Sequence, residues 1–144
     1  MIVFGIDPGV LTTGYAVVSR GRVLEHATVT WEEFIAVYGK ICSRYRPDRI
    51  VIEASEKNIL WNKEGPKEAL AKMAINVGMN RMLARVYVYL LNNTGTEVLQ
   101  VSPSKGQSKW PEATWRSAFN YKGRLPSSHA RDAAVIALLN GGDK

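Results

Sequence analysis

The sequence has one cysteine, Cys42, and two histidines among 144 residues. An internal disulfide is therefore excluded, and no paired Cys/His spacing offers a zinc site. A reducing cytosol is the simplest compartment for such a chain. Long uncharged apolar runs are missing too. Met1-Ile2-Val3-Phe4 is short, has no basic n-region and runs straight into Asp7, which argues against a signal peptide or membrane span and predicts a soluble protein. There is no internal repeat, linker or low-complexity segment. With 46% hydrophobic and 22% charged residues, one globular domain over 1–144 is expected. Acidic residues are the minority charge: 13 Asp and Glu against 19 Lys and Arg leave a net +6. That balance suits a binder of polyanions such as nucleic acid.

What is present begins with an apolar, β-branched run from Met1 to Ile6 that reads as a buried strand closing on Asp7 and a Pro8-Gly9 turn. Gly9 and Gly14 fit a tight turn into a second strand, Tyr15 to Ser19. Arg20-Gly21-Arg22 turns into a third, Val23 to Val29, so the first three strands form a meander. Thr30 is positioned to cap a helix with Glu32 and Glu33 in its first turn; Phe34, Ile35, Val37, Tyr38, Ile41 and Cys42 recur at helical spacing until Arg46-Pro47 ends it. Arg49 to Glu53 repeats the opening pattern, an apolar strand ending on a carboxylate. After a loop over 54–66, Pro66 starts the longest helix, which runs to about Leu91. Leu70, Met73, Ala74, Val77, Ala84 and Val88 lie on one side of it, with Ile75, Met79, Met82, Val86 and Leu90 roughly opposite. One face covers the sheet; the other calls for a partner, and a homodimer through this helix is predicted. Thr96 to Val101 reads as a fifth strand, Glu112 to Phe119 as a helix, and His129 to Leu139 as a last helix capped by Ser127 or Ser128 and stopped by Gly141-Gly142. The pattern predicts a mixed α/β sheet flanked by helices, with acids gathered where its strands end.

Those acids carry the chemistry. A carboxylate leaving a buried strand is costly to desolvate unless it meets a cation or several donors. Asp7 and Glu53 at strand ends, with Asp132 at a helix start, make three hard oxygen donors suited to Mg²⁺ or Mn²⁺. Two such ions about 3.5 to 4 Å apart activate a water and stabilise a leaving 3′ oxygen in phosphodiester hydrolysis. His129, three residues before Asp132 on one helix face, completes the set as ligand or proton carrier. Taken singly, His129 or Asp132 at a helix start is more often a cap or a surface group than a ligand. Basic loops surround them. Lys57 to Lys63 interleaves Lys57 and Lys63 with Trp61, a pattern that pairs phosphate contacts with base stacking. Lys105 and Lys109 follow the fifth strand, and Lys122 and Arg124 precede the last helix, both pairs placed to meet phosphates.

In these features the chain resembles RuvC-type Holliday junction resolvases of the RNase H-like nuclease fold. The resemblance rests on Gly5-Ile6-Asp7-Pro8-Gly9 with Gly14-Tyr15, on Ile52-Glu53, and on His129-Ala130-Arg131-Asp132-Ala133-Ala134, and it spans nearly the whole length. It implies that Asp7, Glu53 and Asp132 are metal-binding catalytic acids, and that His129 stands where many relatives carry a further Asp and some a His. It further implies a homodimer that cuts two opposing strands of a four-way DNA junction in the cytoplasm. The short chain also suits a phage-encoded form acting in the bacterial host cytosol. Where relatives often carry an aromatic residue three positions beyond the second acid, Glu56 stands here, with Trp61 nearby as a substitute. Three other readings share part of the pattern. An actin-like ATPase would need a second such domain and another Gly-rich motif, which this length does not contain. A YqgF-type nuclease acting on RNA shares the first motif but fits the last helix less well. A non-catalytic nucleic-acid binding module would be favoured by a missing acid, and none is missing.

Overall fold

The computed structural model describes residues 1–54, 65–102 and 109–141. Strands β1 (Ile2–Asp7), β2 (Thr13–Ser19) and β3 (Arg22–Val29) are followed by α1 (Trp31–Tyr45), β4 (Arg49–Glu53), α2 (Lys67–Asn92), β5 (Glu97–Val101), α3 (Glu112–Phe119) and α4 (Ser128–Asn140). They form one five-stranded sheet in the order β3-β2-β1-β4-β5. The meander is antiparallel, and β1, β4 and β5 run parallel. The mixed five-stranded α/β sheet expected from the sequence is therefore present.

Helices cover both faces of the sheet, which is why β1 and β4 read as continuous apolar runs rather than alternating ones. On one face Phe4, Ile6, Ile50 and Ile52 pack with Phe34 and Ile41 of α1 and with Tyr87 and Leu91 of α2. On the other, Val3, Ala16 and Val51 pack with Trp115 and Phe119 of α3 and with the alanines of α4. Helix α1 starts at a capping box: Glu33 N–H donates to Thr30 Oγ1 at 3.2 Å, and Thr30 N–H donates back to Glu33 Oε2 at 2.8 Å. It ends at Arg46, which takes the left-handed conformation (φ 46°) just before Pro47.

The two-faced reading of α2 holds with three changes, the first being that Leu90, expected on the outer face, is half-buried. Ala84 and Leu91 are buried and Met73 and Val77 are partly covered, while Ile75, Met79, Met82 and Val86 are exposed. Ala74, expected on the inner face, is exposed instead, because the N-terminal half of the helix extends past the sheet core. Tyr87, which the apolar pattern did not select, is fully buried: its ring centroid lies 4.4 Å from that of Phe34, and its hydroxyl is 2.7 Å from that of the fully buried Thr13. The mutual hydrogen bond is what allows both hydroxyls to leave water.

Helix α4 lies unusually close to the sheet, and glycine is the reason. A Cβ on Gly5 would stand 2.1 Å from the Ala133 carbonyl oxygen and 2.9 Å from the Ala137 Cβ. A Cβ on Gly14 would stand 2.2 Å from the carbonyl carbon of His129. The sequence assigned Gly14 to the turn after Asp7. It sits instead within β2, opposite Asp7, and its lack of a side chain admits the first turn of α4. Gly9 does serve the turn, since a Cβ there would meet the Thr12 carbonyl oxygen at 2.3 Å. The small residues of α4 complete the fit, with Ala130, Ala133, Ala134 and Ala137 all buried.

Candidate active site

Asp7 is the last residue of β1 and Glu53 the last of β4. These strands run parallel with Ile6 opposite Ile52, so the next residue on each delivers a carboxylate to the same edge. The close seat of α4 on β1 and β2 brings its first turns to that edge. Ser127 caps α4, its hydroxyl accepting from Ala130 N–H at 3.4 Å, and also bonds the Thr28 hydroxyl of β3. The helix start is thereby tied to the sheet, and His129 Nδ1 comes within 2.8 Å of Asp7 Oδ2. With Asp7 ionised, Nδ1–H of the imidazole donates to it; whenever the ring is neutral, that leaves the lone pair on Nε2.

Asp7, Glu53, His129 and Asp132 line a single cleft of about 730 Å³, together with Lys109. Crowding shows in their proton affinities. Burial first, and then the negative charges of Asp7 and Asp132, push the Glu53 carboxyl from its ordinary 4.5 to about 7. Burial and the charge of Asp7 push Asp132 from 3.8 to about 6. Asp7 is also raised by burial, against the opposing hydrogen bond and charge of His129 and the charge of Lys109. Among the described residues no three His, Cys, Asp or Glu side chains stand as a finished metal cage. The donor set nevertheless fits a hard divalent cation. It consists of three carboxylates whose proton affinity is raised first by burial, and one imidazole within hydrogen-bond distance of the first of them.

Of the basic residues picked from the sequence, Lys109 is in the cleft and its charge acts on all three acids. Lys122 and Arg124 are exposed on the segment before α4 and do not line it. That segment is held by Tyr121, whose hydroxyl lies 3.0 Å from His26 Nε2, and by Arg116 Nη1 donating to the Gly123 carbonyl at 2.8 Å. Lys57, Trp61, Lys63 and Lys105 lie outside the described residues.

The cleft also contains Asn80, Trp110 and Arg131, which sequence reasoning did not select. Asn80 is seven residues before Tyr87 on the same face of α2, a polar break in an otherwise apolar stripe, and that break was the available signal. Trp110 stands just before Pro111, the N-cap of α3. Arg131 was read as motif context beside Asp132.

The sheet order, the covering helices and the acids at one strand edge define an RNase H-like fold. Within that fold the chain is similar to RuvC. It superposes on Thermus thermophilus RuvC in complex with Holliday junction substrate with a TM-score of 0.68 at 22% identity, over 98% of this chain and 92% of that one. For Thermus thermophilus RuvC alone the values are 0.64, 20%, 98% and 93%. In sequence it is 29% identical over 117 residues to the crossover junction endodeoxyribonuclease RuvC of Ruminiclostridium cellulolyticum, covering 72% of this chain. The match spans 63% of that relative's length. No protein-family model matches the chain.

Proposed function

We propose that the protein is a metal-dependent, structure-selective DNA endonuclease that resolves four-way junctions by paired symmetric nicks. The observation that carries this reading is the meeting of Asp7, Glu53, His129 and Asp132 in one cleft beside Lys109, on a fold shared with RuvC. Asp7 is the central acid, flanked by Glu53 and Asp132, and these with His129 would hold Mg²⁺ or Mn²⁺, two ions per site. When bound, such ions lower the pKa of water and offset negative charge on the phosphate.

The chain's own groups do the rest. The cleft, of about 730 Å³, lies at a strand edge, and Lys109 supplies a positive charge in its lining that would draw a phosphate in. Hydrolysis forms a bond from water oxygen to phosphorus and breaks the bond to the 3′ oxygen. One proton must leave the water and one must reach the 3′ oxygen. His129, held to Asp7 through Nδ1, presents Nε2 for such a transfer or for the cation.

Lys57, Lys63, Lys105, Lys122 and Arg124 belong to the same reading as contacts to the arms of the junction, with Trp61 as a stacking group. So does a homodimer through α2, supported by the exposed Ile75, Met79, Met82 and Val86. Two copies would present two clefts to two opposing strands. No described helix is long and apolar enough to cross a membrane, and a cytoplasmic enzyme is in keeping with the substrate.

The test is cleavage of a labelled four-way junction, against matched duplex and structured RNA, with Mg²⁺, with Mn²⁺ and with chelator. Paired nicks confined to the junction and to metal are expected, and Asp7→Asn should slow them by more than about 100-fold, beyond the range for loss of a group outside the ligand set. Metal-dependent cutting of RNA alone would move the protein to the RNA-processing branch of the fold. Junction binding without cutting under any metal would leave a binding module.

A further inference from the structure

Arg131 lies between His129 and Asp132 in the opening turns of α4 and lines the cleft. The turn that carries it is anchored: Trp115 Nε1 of α3 donates to the Arg131 carbonyl at 3.2 Å. Its side chain is not anchored in the same way. Nε of Arg131 is buried and has no hydrogen-bond partner, the one such side-chain atom among the described residues. A guanidinium cannot escape this cost by losing its proton, as a buried lysine can. The neighbouring Asp132 feels its charge but leaves Nε unbonded.

Arg131 as a whole is half-buried and lines the cleft, so this charged group, short of one partner, stands within reach of an anion that enters from outside. The cleft already holds three mutually repelling carboxylates, so another carboxylate is a poor candidate. A phosphodiester is a good one. Its two non-bridging oxygens match the planar fork of a guanidinium. Resting on the nuclease reading above, we infer that Arg131 is a phosphate clamp, gripping a backbone phosphate of the strand bound across the acids. It would fix that strand's position relative to Asp7.

The test uses the full chain with a four-way DNA junction. Affinity is measured against salt concentration in chelator, and cleavage under single-turnover conditions with Mg²⁺. Arg131→Gln should slow cleavage by about 100-fold, the scale for loss of one well-placed donor, and flatten the log–log salt dependence by about 0.9, the share of one phosphate contact. Arg131→Lys should recover the salt slope and not the rate, because a point charge cannot make the fork. The thermal midpoint should stay the same or rise, since an orphaned donor has been removed; should it fall, Arg131→Met, which keeps the packing of the stem, carries the same measurements. An Arg131→Gln protein that equals an active wild type in slope and rate overturns the clamp and leaves the nuclease reading standing. A wild type that neither binds nor cuts any nucleic acid overturns both.

Discussion

At the scale of residues, the carboxylates set the pH behaviour of the metal-free protein. Glu53 is raised from 4.5 to about 7 and Asp132 from 3.8 to about 6 on folding. Between the unfolded and folded values the native state holds more protons than the unfolded chain, so these groups contribute stability at low pH that is lost as pH rises through the folded values. In chelator, the drop in melting temperature from about pH 5 to about pH 8 should therefore be smaller for Glu53→Gln than for the wild type. Equal drops in the two proteins would mean that Glu53 does not carry the raised affinity. The same variant should be more stable than the wild type above neutrality and poor at cleavage, the usual exchange of activity for stability at a strained site. Asp7 and Glu53 were legible in the sequence because each closes a buried strand; Asp132, expected at the helix start, is the fifth residue of α4 and was legible through its spacing from His129. Arg131 was not, because its significance lies in a missing partner, and only packing reveals which partner is missing.

At the scale of elements, the site depends on how near α4 comes to the sheet. The contacts that a Cβ on Gly14 would make, 2.2 Å to His129 C and 2.6 Å to Ala130 N, are with backbone, which cannot rotate aside. Gly14→Ala should therefore lift the first turn of α4, separate His129 from Asp7, and cost about 1–3 kcal/mol of stability as overpacking. Denaturant unfolding would measure the loss, and junction cleavage should fall with it; a variant with both unchanged would show that α4 tolerates the displacement. The strands, the helices and most of their ends could be read from hydrophobic period and caps. The role of Gly14 could not, because a glycine that admits a helix and a glycine that makes a turn look alike in a sequence. Tyr87 escaped for a similar reason: it is buried through a hydrogen bond to Thr13, 74 residues away in the chain.

At the scale of the whole molecule, α2 carries an exposed stripe of Ile75, Met79, Met82 and Val86 on the side away from the sheet. In the proposed homodimer this stripe is the seam. Introducing Met79→Glu and Val86→Glu together should place like charges across it and yield a monomer in sedimentation, with the cleft intact and paired nicking of the junction lost. A wild type that sediments only as a monomer while still nicking in pairs would remove the seam from the mechanism. The net charge of +6 works at the same scale: in the proposed function it would favour association with DNA at low salt without selecting a sequence, and selectivity for a junction would then come from the shape that the two clefts of the proposed dimer present.

By itself the sequence determined the order of strands and helices, the burial of β1 and β4, and the positions at which acids leave the core, because local propensity and hydrophobic period report directly on those. It also marked Asp7, Glu53, His129 and Asp132 as one group, the first two by their place at strand ends and the last two by their three-residue spacing on a helix. Tertiary structure alone decided how those four meet: the parallel pairing of β1 with β4, and the glycines that let α4 settle against β1 and β2. It alone brought Lys109, Asn80, Trp110 and Arg131 into the same cleft. Such convergence depends on distances between segments far apart in the chain, and the sum of local preferences does not specify them.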